Sequence, residues 1–403
     1  MYDLHLTPEQ LEFRDTVRTF VERAVKPAAL NPKRLEPFAK PLLSSLLDQA
    51  AQMGLRTLSL SEEAGGAGAD ALTACIVMEE LGAGDVDIAA VLAETSTLAH
   101  VLFDHLMKPE QRRRFLPEFV KDDGYHLAHA CCNPAAVLGW SYHRPLAESG
   151  ASPVAVKQGD DWVINGALPC VANASVAKLF AVQAQTGRSG RITLLVPRAT
   201  SGLTVREPLT AVGDVIRWHH GAGAGLTFKD CRVAADRVLG EGDPVAAPTR
   251  SAPQLAAVNL GLGRAAFDAA VDYAKLRRQG GRSIIEHQAI GTKLADCAIR
   301  LELARNMIWK AAWTLDHPAA VADRSVSSLP LPVIARVYTA QAVNEVALLA
   351  AECFGAMGVM RDMPLQKYVH DSMVFLHAEE TDGAAKLAVA EAIAGYQRPA
   401  AAA

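Results

Sequence analysis

Apolar residues recur at helical spacing through the first third of the chain. Thr7-Pro8-Glu9-Gln10 places a hydroxyl, a proline and a glutamine at the N-cap, N1 and N3 positions, a capping box that satisfies the first free amides of a helix. Phe13, Val17, Phe20, Val21 and Ala24 then make one stripe, which predicts a helix ending before Pro27. The same spacing predicts a helix over 40–53 with Gly54 as a left-handed stop, and further helices over 72–81 and 88–106. Between them, Glu62-Glu63-Ala64-Gly65-Gly66-Ala67-Gly68 is too rich in small, flexible residues for a helix interior and predicts a loop.

From about residue 125 the period changes. Short β-rich runs at 162–166, 192–196 and 226–228, set between Pro, Gly and Asn, predict a small β domain reaching about residue 242. After Pro253 the helical pattern returns, over 255–278 and, past Gly280-Gly281, along the face carrying Ile290, Leu294, Ala298, Leu301, Ile308, Ala312 and Leu315. Two more helices are expected, at 331–354 and about 384–395. Four long helices with short connections predict an antiparallel bundle. The fold class is therefore α+β in three parts: an all-α domain over 1–124, a small β-barrel or sandwich over 125–242, and a four-helix bundle over 243–403.

Composition narrows the function without naming it. Half of the 403 residues are hydrophobic and 21% are charged, which fits two or three well-packed domains. With 40 Lys and Arg against 44 Asp and Glu, and no basic stripe, a nucleic-acid partner is not expected. Seven cysteines, odd in number and without CxxC spacing, point to a reducing compartment and give no zinc pattern. The first eight residues lack a leader pattern, and the apolar run 346–360 is interrupted by Glu352 and two glycines, so a cytoplasmic chain with no membrane span is expected. His219 and His220 would point to opposite faces of a strand, which predicts surface residues rather than a metal site. Cys131 and Cys132 read as packing residues.

Three strings carry a resemblance. The first is Phe228-Lys229-Asp230-Cys231-Arg232-Val233 followed by Asp236-Arg237-Val238-Leu239-Gly240. The second is Arg277, then Ile285-Glu286-His287-Gln288-Ala289-Ile290, with Leu294-Ala295 and Glu302-Leu303-Ala304-Arg305 beyond. The third is Gly355-Ala356-Met357-Gly358, Pro364, His370-Asp371 and Glu379-Glu380-Thr381. In this order, and over nearly the whole chain, they resemble the acyl-CoA dehydrogenase family. The resemblance implies that FAD and an acyl-CoA, or a carrier-protein thioester, lie between the helical and β domains. It also implies a homo- or hetero-tetramer, and electrons passed to an acceptor of the electron-transfer flavoprotein type.

The resemblance also implies roles for individual residues. Arg277, with Gln288 beyond it, would meet the FAD diphosphate of a neighbouring subunit, where a forked, permanently charged guanidinium pairs two phosphate oxygens. Gly355 to Gly358 would form the glycine turn that lets backbone approach the nucleotide; Glu352, Gly355, Ala356 and Thr381 would bind the cofactor, and Cys132, Ala172 and Asn173 would border the flavin ring. Removing the weakly acidic α proton of a thioester needs a carboxylate shielded from water, and the β hydride needs an acceptor. Glu379 falls at the family's base, where the pattern is Glu-Gly-Thr; here Glu380 replaces the glycine and is a possible second acid. In relatives that hold the base on the earlier helix the carboxylate lies near the position of Ser251, and here that site is closed.

The β domain departs from the family. Cys132-Asn133-Pro134-Ala135 stands for Thr-Glu-Pro-Gly and Cys170-Val171-Ala172-Asn173 for Trp-Ile-Thr-Asn, so a hydroxyl and an indole that meet the flavin are replaced. Ser251-Ala252-Pro253 lacks the arginine common beside that proline. Three functions follow: α,β-dehydrogenation of an acyl-CoA to the trans-2-enoyl-CoA, a subunit of a heteromeric enzyme with no flavin of its own, or a flavin desaturase or oxygenase of the same fold.

Overall fold

The computed structural model describes residues 5–32, 42–131, 152–187, 190–206, 220–241, 244–245, 253–360, 362–377 and 383–395. Helix α1 (Pro8–Phe20) opens on the predicted capping box: Gln10 N–H donates to Thr7 Oγ1 at 3.2 Å, and Thr7 N–H to Gln10 Oε1 at 3.0 Å. The helix does not stop before Pro27. It widens into a π turn (Val21–Val25) and resumes as α2 (Lys26–Ala29), where Pro27 sits in a first turn whose amides need no intrahelical partner.

Helix α3 (Ser44–Gln52) ends at Gly54, which takes the left-handed φ of 83° expected of it. Residues 40 and 41, predicted to begin that helix, lie outside the described residues. Helices α4 (Ala71–Gly84) and α5 (Val86–Ala99) share Asp85, whose Oδ1 accepts from the amides of Asp87 and Ile88 at 3.0 and 3.1 Å. Both helices are buried on nearly every side. A π turn (His100–Leu106) and α6 (Pro109–Lys121) complete this part.

Strands β1 (His126–Ala130), β2 (Val154–Gln158), β3 (Asp161–Val171), β4 (Ala177–Thr186), β5 (Gly190–Pro197), β6 (Leu203–Arg206), β7 (Ala224–Ala234) and β8 (Val238–Glu241) form one sheet. Its order is β6-β7-β3-β2-β4-β5-β8, with β1 lying parallel against β4. Alternation along β4 divides its side chains between two cores. Phe180, Val182 and Ala184 join Ile164, Leu226 and Phe228, while Leu179 and Ala181 pack with Phe103, Phe115 and Phe119 of the helical part.

Helix α7 (Pro253–Leu276) runs into a short hairpin, β9 (Arg278–Gln279) and β10 (Arg282–Ser283), turned by Gly280 and Gly281 at φ 59° and 83°. Helices α8 (Gln288–Asp316), α9 (Pro318–Ala322), α10 (Leu331–Phe354), α11 (Leu365–Leu376) and α12 (Gly383–Ala394) follow. The sequence pattern did not predict α11. Its buried face carries Lys367, Asp371 and Ser372 beside Leu365, Tyr368 and Phe375, so the apolar period is broken.

Helices α4 and α7 cross backbone to backbone. A Cβ at Gly82 would stand 2.2 Å from the carbonyl oxygen of Val258, and one at Gly261 2.1 Å from that of Glu79. Beside the crossing, Glu80 accepts from Arg18 and Arg264, and Glu79 from Arg264 and Arg305. Burial pushes the Glu80 carboxyl upward, but the bonds from Arg264 and Arg18 outweigh it and hold the group below the usual carboxylate range.

Two helical runs, Val86–Leu106 and Leu331–Val359, are long and apolar enough to cross a membrane by length and composition, where the sequence pattern gave no run of spanning length. In the first, 83% of the most apolar window is buried inside the fold, so its hydropathy is that of core packing.

Candidate active site

Helix α11 leads toward the predicted base and is fixed by buried polar contacts. Lys367 and Asp371, one turn apart and 5% and 1% exposed, pair at 2.7 Å. Burial works against the Lys367 charge, yet Asp371, Asp85 and Asp87 outweigh it and hold the ammonium above its ordinary value. Asn344 of α10 donates to Ser372 Oγ at 3.0 Å, and that hydroxyl donates to the Val369 carbonyl at 2.8 Å.

The last turn of α11 meets the chain entering β7. Phe375 packs on His220 with ring centroids 4.1 Å apart. His220 Nε2–H donates to the carbonyl oxygen of Asp371 at 3.0 Å, and Nδ1 lies 3.7 Å from Asp87 Oδ1, an ion pair when the ring is protonated. The same Oδ1 accepts from Gly221 N–H at 3.0 Å. The His220 side chain is only 7% exposed, which corrects the expectation of a surface position. Gly221 turns the chain here at φ 77°, so strand alternation does not govern its neighbour; His219 lies outside the described residues.

The turn between β3 and β4 adjoins this point. Asn173 takes φ 60° and is buried, its Nδ2 directed at Val91 O (3.0 Å), Thr95 Oγ1 (3.1 Å) and Leu127 O (3.3 Å). The Ser175 amide and hydroxyl both donate to Ala222 O, at 3.0 and 2.9 Å. Ala172 is exposed and brings only a methyl group. A planar ring placed here would find backbone rather than side-chain donors from these two residues.

A second group of predicted residues gathers at the other end of α10. Tyr273 stacks on Phe354 at 4.1 Å, joining the ends of α7 and α10, and Lys293 pairs with Glu352, joining α8 to the same place. Arg277, Gln288, Glu352, Gly355 and Ala356 are all exposed there. The Arg277 guanidinium makes no bond among the described residues. Helix α8 starts at Gln288 without a side-chain cap; Ile290 N–H bonds back to the His287 carbonyl, and the Gln288 and Ala289 amides face outward for an anion. Gly355 has φ 58°, and a Cβ there would meet nothing within 4 Å. An arginine, open helix amides and a bare backbone form a donor set that fits a diphosphate. From Asn344 to Gly355 is eleven positions, or roughly 16 Å of helix, so the two groups of residues stand apart.

The sequence model of the acyl-CoA dehydrogenase N-terminal domain matches residues 7–123, and that of the C-terminal domain matches residues 248–394. The chain belongs to the acyl-CoA dehydrogenase family. It is 28% identical over 400 residues to the short-chain specific acyl-CoA dehydrogenase of Clostridium acetobutylicum, covering 96% of this chain and 98% of that protein. The structure of butyryl-CoA dehydrogenase from Megasphaera elsdenii superimposes with a TM-score of 0.81 at 25% identity, covering 98% of this chain and all of that one. The prolyl acyl carrier protein oxidase AnaB shares the fold, with a TM-score of 0.80 at 20% identity over 96% of this chain.

Against this family pattern, Cys132, Glu379, Glu380 and Thr381 lie outside the described residues. Ala172 and Asn173 fall at the junction of α5, β7 and α11, while Arg277, Gln288, Glu352, Gly355 and Ala356 fall at the far end of α10. Asp87, Lys367 and His220 were not singled out from sequence for the junction they build. Pairings between distant segments, such as Asp87 with Gly221 across 134 positions, reveal it.

Proposed function

We propose that this chain dehydrogenates an acyl-CoA thioester at its α and β carbons to give the trans-2-enoyl-CoA. The observation that carries the reading is an end-to-end likeness to proteins named for that reaction, 96% of this chain against 98% of one such relative. Glu379 takes the α proton. FAD, when bound, accepts the β hydride. Phe375, four positions before Glu379 in the sequence, packs ring on ring with His220 and holds water away from this side of the junction. Arg277 and Gln288 bind the FAD diphosphate of a neighbouring subunit, and Gly355 allows backbone approach. The assembly is then a homo- or hetero-tetramer that passes electrons to an electron-transfer flavoprotein-type acceptor.

One observation favours a second reading. Asn173 directs its amide at Val91, Thr95 and Leu127, and Ala172 has no side-chain donor, so the flavin side of the junction is poorer in side-chain contacts than the diphosphate side. A heteromeric subunit would lend Arg277 to a partner's FAD and bind none itself.

The purified chain decides between them. About one flavin per chain, bleached anaerobically by a short-chain acyl-CoA, supports the dehydrogenase. A colourless chain that acquires flavin only when co-expressed with a homologue supports the heteromer.

A further inference from the structure

The π turn that extends α5 (His100–Leu106) contains two histidines five positions apart. In a regular α-helix such residues diverge by about 140°; the wider turn brings them together. Their rings meet edge to face with centroids 4.5 Å apart, and the two Nε2 atoms stand 3.0 Å from each other.

The other nitrogen of His100 is fixed. Nδ1–H donates to Asp104 Oδ2 at 2.9 Å, and Asp104 accepts from Ser61 N–H at 3.0 Å and Ser61 Oγ–H at 2.7 Å. A carboxylate behind an imidazole sets its tautomer, the arrangement that orients histidines on metals, and turns the His100 Nε2 lone pair toward His105, whose Nε2–H it accepts. Asp316 adds negative charge within electrostatic reach of His100. The His100 side chain is 44% exposed and His105 is exposed, so an ion can reach both.

We propose that His100 and His105 bind one divalent transition-metal ion of the zinc class. Two imidazoles on a tetrahedral zinc at 2.0–2.1 Å place their nitrogens about 3.3 Å apart, a few tenths of an ångström from the separation seen. On binding, His105 carries its ring proton on Nδ1 instead of Nε2, so both Nε2 lone pairs face the ion. Water supplies the remaining ligands, since no group of three or more His, Cys, Asp or Glu among the described residues is arranged to hold a metal. The inference is independent of the flavin chemistry.

The test is calorimetric titration of Zn²⁺ into the untagged, chelator-stripped full chain. One saturable ion per chain is expected. His105→Asn and His100→Asn should each weaken binding at least tenfold, and Asp104→Asn by about 10- to 100-fold through the loosened His100 ring. Thermal midpoints of the metal-free variants, read in parallel, separate loss of a ligand from loss of fold; His105, being exposed, should leave the midpoint unchanged. No saturable binding to the wild-type chain overturns the proposal, as does undiminished binding by a folded His105→Asn chain.

Discussion

The imidazole of His220 donates to the main-chain carbonyl of Asp371 while its ring lies on Phe375, 4.1 Å between centroids, so one side chain joins the approach to β7 with the last turn of α11. Phe375→Ala removes a buried ring, and a loss of about 3 kcal/mol in urea denaturation is expected. His220→Phe keeps the stack but removes the Nε2–H donor, with an expected loss of about 1 kcal/mol. Equal losses in the two variants would mean that stacking contributes little.

Glu379→Gln should retain flavin and slow its bleaching by acyl-CoA about 10²- to 10⁴-fold, the usual worth of a positioned base. Glu380→Gln should bleach within a small factor of the wild-type rate. Stopped-flow absorbance of the flavin band is the measurement, and the reverse pattern would assign the base to Glu380.

Arg277→Met should lower the flavin-to-protein ratio after extensive dialysis, because each charge-assisted bond to phosphate contributes about 1.5–3 kcal/mol. Arg277→Lys should rescue only part of the loss, since an ammonium does not reproduce the two-pronged contact. A ratio unchanged in both variants would remove Arg277 from the nucleotide site.

His126 pairs with Thr95 at 3.2 Å in the interior, and burial, with help from Arg56, lowers its pKa from 6.5 to about 4. The folded chain thus binds this proton less tightly than the unfolded chain. Stability is full above about pH 6.5 and declines as pH falls toward 4, with a loss of about 2 kcal/mol from this group between pH 7.5 and 5. His126→Asn does not titrate and should flatten that part of the urea-midpoint profile; an unchanged slope would mean another group is responsible.

Much of the architecture was legible because local chemistry and tertiary packing agree. The Thr7 capping box, the Gly54 stop and the long helix Leu331–Phe354 all appear where residue type and spacing put them. Pro27 misled because a π turn upstream restarted the helix. Helix α11 escaped because its interior face holds a lysine–aspartate pair that reads as surface. In the candidate site, the strings at Arg277 and Gly355 were visible as motifs, whereas the contact of Asp87 with His220 joins distant segments that no local pattern links.

From Leu179 to Ala184, strand β4 is buried on both faces. Leu179 and Ala181 complete the aromatic cluster of the helical part, while Phe180 and Val182 complete the interior of the sheet. The stretch 124–247 between the two matched family domains is consequently not a detachable module. Cut free, it would bare an oily wall and clump, and the chain left behind would lose one side of its own phenylalanine cluster.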